Sequence, residues 1–113
     1  MSLLGATEIR ELAAKLDLNP SKGLGQNFVI DGNVCQRIVR QVSISSDDVA
    51  LEIGPGLGSL TLAILETGAP LIAVEIDSRL AKQLPETVAI HNPNADLIVV
   101  NEDALNVKEL PKA

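Results

Sequence analysis

The chain has 113 residues, 46% of them apolar, with 15 acidic side chains against 9 basic ones and a formal net charge of −6. That is enough for one compact domain with a real core, short for a complete doubly wound enzyme, and too apolar for compositional disorder. No basic run occurs, so if RNA is a partner this segment does not supply most of the phosphate contacts that carry nucleic-acid affinity. The longest apolar runs fall far short of a bilayer span and no signal-peptide pattern opens the chain, so a soluble, cytoplasmic protein is expected.

Ile9, Leu12, Ala13 and Leu16 recur at i, i+3, i+4 and i+7 and predict an amphipathic helix over residues 7–16, with Thr7 as its N-cap. Residues 19–25 hold one proline and two glycines and read as an extended loop. From Asp31 onward, Val34, Cys35, Ile38, Val39 and Val42 mark one face of a second helix. Cys35 lies in that stripe and is read as core; as the single cysteine it has no internal disulfide partner, which agrees with a reducing compartment.

The period then changes. Val49 to Ile53 is a short apolar run ending at a glycine cluster, as a buried parallel strand does. Leu57 to Glu66 reads as a helix with Leu60, Ile64 and Leu65 inward, broken by Gly68 and Pro70. A second strand over 71–76 follows, then a helix over 78–84, capped by Asp77 or Ser78 and ended by Pro85. Leu97 to Val100 is a third strand. The order β-α-β-α-β, with right-handed crossovers, is the unit of a Rossmann-like sheet. The third strand is expected to present an open edge, so oligomerisation or strand exchange is possible. His91, the only histidine, stands beside Asn92 and Pro93 and is read as a surface residue. No cluster has metal-ligand spacing.

Three features carry ligand chemistry. Glu52-Ile53-Gly54-Pro55-Gly56-Leu57-Gly58 joins the first strand to its helix, and Gly54 and Gly56 let a ligand approach the backbone. Glu75, 21 residues after Gly54 at the end of the second strand, is placed to accept from both ribose hydroxyls of an adenosine-containing ligand. Asp103, just past the third strand, is placed to accept from an adenine amino group between small apolar neighbours. Ser59 stands where the dinucleotide fingerprint requires its third glycine, and no Gly-Lys-Ser/Thr follows as a P-loop would require. The spacing G-x-G-x-G, with an acid two residues before the first glycine, points to S-adenosylmethionine rather than NAD.

Lys22-Gly23-Leu24-Gly25-Gln26-Asn27-Phe28, then Glu52 to Gly58 with Leu60-Thr61, then Val74-Glu75-Ile76-Asp77, then Asp103-Ala104-Leu105 resemble, in order, the motifs of the ribosomal RNA adenine dimethyltransferases. The resemblance implies a Rossmann-like, S-adenosylmethionine-binding α/β fold, here stopping after about the third strand. It divides the chain into N-terminal helices with a cofactor-covering loop (residues 1–46) and a partial cofactor domain (47–113). It adds Asn27 and the backbone at Val29 as contacts to the methionine end of the cofactor. It also sets Gly54 against the cofactor, Glu75 on the ribose and Asp103 on the adenine. Pro55, Leu57 and Gly25 resemble the branch that dimethylates N6 of two adjacent adenosines in small-subunit rRNA, with the immature small subunit as partner. Gly23 and Val29 depart mildly from the family pattern. The other branch methylates large-subunit rRNA and confers macrolide resistance. The family's Asn-Leu-Pro-Tyr catalytic element occurs nowhere in the chain, and Phe28 is its sole aromatic residue. No catalytic residue is therefore assigned, and the chain alone is expected to be inactive. The competing class is a non-catalytic nucleotide-binding or scaffold module.

Overall fold

In the computed structural model, residues 2–18 and 32–111 are described. Their elements run α1 (Ala6–Lys15), α2 (Gly32–Val42), β1 (Ala50–Ile53), α3 (Ser59–Leu65), β2 (Leu71–Val74), α4 (Ser78–His91) and β3 (Leu97–Val100), followed by one 3₁₀ turn over Ala104–Asn106. The three strands form a single parallel sheet in the order β1-β2-β3, with Leu51 opposite Ile72 and Ile72 opposite Ile98. The β-α-β-α-β order and the two preceding helices are as the sequence periods predict.

Side chains alternate across a strand, and the register therefore gives the sheet two apolar faces. Leu71 and Ala73, with Leu97 and Val99 partly buried beside them, join the core built from Leu62 and Leu65 of α3 and Leu80, Leu84 and Val88 of α4. Cys35 and Val39 of α2 enter the same core, and Ile9, Leu12 and Leu16 of the first helix pack against it. The opposite face carries Leu51 and Ile53, both more than half exposed, alongside Ile72 and Val74 of the middle strand. Both β1 and β3 are edges of this sheet. The third strand is an edge as the sequence suggested, but the more exposed apolar side chains lie on β1, the other edge; those of β3 are half-buried.

Four local expectations are corrected. Gly5, not Thr7, is the N-cap of α1, and Thr7 accepts from Arg10 instead. In α2 only Cys35 and Val39 are buried; Val34, Ile38 and Val42 face solvent, because α2 packs on α3 along one side of its apolar arc. Helix α3 starts at Ser59, two residues late, because Gly58 has a φ of +105° and cannot continue a right-handed helix. Pro85 does not end α4, which runs on to His91 with Thr87, Val88 and His91 buried. Burial of that last turn outweighs the one hydrogen bond that proline removes.

His91 is likewise buried rather than on the surface, at 9% exposure. Its Nε2 lies 2.7 Å from Glu8 Oε2 and its Nδ1 meets Ser2 Oγ, so the α4 terminus holds the start of α1. Two other contacts cross further along. Lys15 Nζ donates to Gln83 Oε1 at 2.9 Å, and Arg79 Nη1 donates to Leu16 O at 2.8 Å. These contacts run in opposite order along the two chains, so α1 lies antiparallel on α4.

Candidate functional site

The carboxyl ends of the three strands come together where an open α/β sheet binds ligands. After β1 the chain turns through Gly54, Gly56 and Gly58, with φ values of +70°, +61° and +105°. L side chains rarely adopt that region, so the turn depends on its glycines. The individual glycines do different work. A Cβ at Gly58 would lie 2.8 Å from Leu84 Cδ1, which makes this glycine a packing requirement. A Cβ at Gly54 would meet no atom within 4 Å, so the space in front of this glycine is open.

Glu75 is 5% exposed, yet both its carboxylate oxygens are engaged. Oε1 accepts from the Gly56 N–H at 3.2 Å and Oε2 from the Asp77 N–H at 3.0 Å. Its own backbone is pinned from the third strand, by the Val100 carbonyl (3.0 Å) and by Asn101 Nδ2 on the Glu75 carbonyl (2.9 Å). Each carboxylate oxygen accepts one backbone bond and retains lone-pair capacity for another donor. The glycine loop and the carboxylate that sequence spacing picked out are thus one hydrogen-bonded unit. Asp77 resolves the capping alternative: its side chain accepts from the Arg79 and Leu80 N–H groups at the start of α4. The Arg79 guanidinium beside it holds the Asp77 carboxyl below its ordinary range.

A second buried carboxylate lies behind the loop. Glu52 accepts a 2.6 Å bond from Thr61 Oγ1, and Thr61 is fully buried. Burial raises the Glu52 pKa to about 6; the Thr61 bond opposes that rise and the negative charge of Glu75 adds to it. The sequence marked Glu52 by its place two residues before the first glycine, but nothing in it marked Thr61 as its partner. That contact exists only because α3 folds back over β1.

Asp103 caps the 3₁₀ turn, its Oδ1 accepting from the Leu105 N–H at 2.9 Å, and Leu105 is exposed. It is therefore oriented by its own loop at the end of the third strand. Asn27 and Val29 lie outside the described residues. Among the described residues no buried side-chain nitrogen or oxygen lacks a partner, and no helix is long and apolar enough to cross a membrane.

Comparison with known proteins matches residues 18–112 to the family of ribosomal RNA adenine dimethylases. Ribosomal RNA small subunit methyltransferase A of Leifsonia xyli subsp. xyli is 55% identical over 99% of the chain, which spans 41% of that relative's length. Among solved structures, the 23S rRNA methyltransferase ErmE is 36% identical over 74% of the chain and 33% of its own, with a TM-score of 0.60. A dimethyladenosine transferase from Plasmodium falciparum is 30% identical over 73% of the chain and 29% of its own, with a TM-score of 0.63. The three-stranded parallel sheet, the glycine turn and the match over nearly the whole chain lead to one assignment: this chain belongs to the ribosomal RNA adenine dimethylase family.

Proposed function

We propose that the chain binds S-adenosylmethionine and supplies the cofactor half of an enzyme that dimethylates N6 of two adjacent adenosines in small-subunit rRNA. The observation that carries this reading is the buried Glu75 carboxylate, oriented by the Gly56 and Asp77 N–H groups beside the open approach at Gly54. A carboxylate so fixed suits two vicinal ribose hydroxyls, because it accepts both without reorganising. Gly54 lets the ligand lie against the backbone, and Asp103 accepts from the adenine amino group. Asn27 and the backbone at Val29 take the methionine end, as the family resemblance implies. The bound cofactor supplies an electrophilic methyl group on sulfonium.

Exocyclic N6 is a weak nucleophile because its lone pair is delocalised into the ring, so positioning it is most of what such an enzyme contributes. These 113 residues contain neither the Asn-Leu-Pro-Tyr element nor an aromatic platform beyond Phe28. The chain alone therefore holds the cofactor without turnover. Its partner through the whole enzyme is the immature small subunit in the cytoplasm.

Calorimetric titration with S-adenosylmethionine and NAD tests the cofactor. Binding of the first only, lost in Glu75→Ala, is expected; preference for NAD would overturn the reading in favour of another nucleotide-binding module. A methyl-transfer assay with a full-length enzyme carrying this segment, on unmethylated small and large subunits, tests the substrate. The 36% identity to ErmE makes the large subunit the specific alternative. Labelling of the large subunit alone would select it.

A further inference from the structure

We propose that Arg79 is a positioning residue for the cofactor site, its guanidinium fixing the end of α1 to the turn that orients Glu75. The inference rests on the cofactor reading above and adds a residue to it.

One guanidinium serves two elements. Its Nε and Nη2 donate to the Asp77 carboxylate at 3.3 and 2.9 Å, while Nη1 donates to the carbonyls of Leu16 (2.8 Å) and Asp17 (3.3 Å). Asp77 in turn donates its backbone N–H to Glu75 Oε2. A continuous series of hydrogen bonds therefore runs from the end of α1 to the carboxylate assigned to the ribose.

The α1 terminus explains why an arginine is needed there. The Leu18 N–H returns to Ala13 O and the Asp17 N–H to Ala14 O, the double bond pattern of a Schellman ending. That ending places its C′ residue in the left-handed region, usually with glycine; here Asp17 occupies it at φ +56°. The Leu16 and Asp17 carbonyls at this turn both accept from Arg79 Nη1. Its planar fork reaches four acceptors at once, which the point charge of a lysine cannot do. The Arg79 side chain is half exposed, and an ion pair at that exposure contributes little by itself. What the arginine adds is the fixed geometry between two elements.

Coupling of this kind is reciprocal: a ligand that stiffens the Glu75 turn must also stiffen the end of α1. Four proteins test it, the wild type with Arg79→Ala, Arg79→Lys and Lys15→Ala. The last removes another α1–α4 tie, the bond to Gln83 and the ion pair with Glu86, without touching Asp77. Calorimetry is expected to show S-adenosylmethionine bound about tenfold more weakly by Arg79→Ala, with at most partial recovery in Arg79→Lys, while Lys15→Ala stays within about twofold. Amide exchange without ligand is expected to accelerate together at Leu18 and Asp77 in Arg79→Ala, with the circular dichroism melt still cooperative. Equal weakening by Arg79→Ala and Lys15→Ala would reduce the residue to ordinary helix packing and overturn the inference. So would unchanged affinity in Arg79→Ala, or faster exchange at Leu18 with Asp77 unaltered. A wild-type protein that binds no S-adenosylmethionine would count against the cofactor reading, while the ligand-free exchange would still decide whether Arg79 joins the two elements.

Discussion

Burial holds the Glu52 carboxyl at about 6, against an ordinary value of 4.5, so the folded chain binds this proton more tightly than the unfolded chain does. The resulting stability is fully present below about pH 4.5 and is lost as pH rises through about 6, amounting to about 2 kcal/mol. Glu52→Gln is expected to flatten the stability profile between pH 4.5 and 7, measured by urea denaturation across that range. A slope unchanged in the variant would place its source elsewhere. Gly58 offers a test without titration. Alanine there meets Leu84 Cδ1 at 2.8 Å and must keep a φ of +105°, costing about 2 kcal/mol or more. Gly54→Ala meets no neighbour and pays only the backbone term, about 1 kcal/mol, so its larger effect should be on cofactor affinity. Comparing the two melts with the two affinities separates packing from ligand approach.

At the scale of elements, α4 is where local sequence rules and tertiary structure part company. Pro85 interrupts the helix signal, yet the helix carries on because Thr87, Val88 and His91 are buried on the same face as Leu84. Pro85→Ala on this exposed position is expected to raise stability by about 1–3 kcal/mol, read as a higher melting temperature. No gain would mean that the surrounding helix has already relaxed around the proline. His91 at the end of α4 meets Glu8 and Ser2, both more than 80 residues distant in sequence. His91→Ala is expected to cost about 1–3 kcal/mol, since it strips partners from both side chains. It should also speed amide exchange in α1 more than in the sheet. Uniform acceleration across the chain would show that the contact stabilises the whole fold rather than docking one helix.

Over the whole molecule, α3 and α4 cover one face of the sheet; on the other, Ile72 and Val74 of β2 are buried while Leu51 and Ile53 of β1 stand more than half exposed. Parallel sheets are ordinarily covered on both faces. An apolar strip beside an unpaired strand edge favours association. The chain is therefore expected to self-associate as its concentration rises. The double variant Leu51→Lys, Ile53→Lys should lower its weight-average sedimentation coefficient while leaving the melt nearly unchanged. Ile90→Lys, at an exposed site on α4, should not. Equal effects from the two variants would mean that added charge, and not this face, governs association.

Element types and order were legible in the sequence because burial imposes a period, 2 along a strand and 3.6 along a helix, whatever the partner. The glycine turn and Glu75 were legible too, because backbone conformation restricts residue type and a strand end fixes position. The cap at Asp77 was narrowed to two residues by the same local chemistry. Only tertiary structure decided which side of the α2 stripe is covered, that β1 carries the more exposed apolar edge, and that α4 continues past Pro85. It alone paired Glu52 with Thr61, His91 with Glu8, and Arg79 with Leu16 and Asp17. Those contacts join residues nine to more than eighty positions apart, and no local period encodes them. They form when packing brings two surfaces together and sets their polar groups within reach of one another.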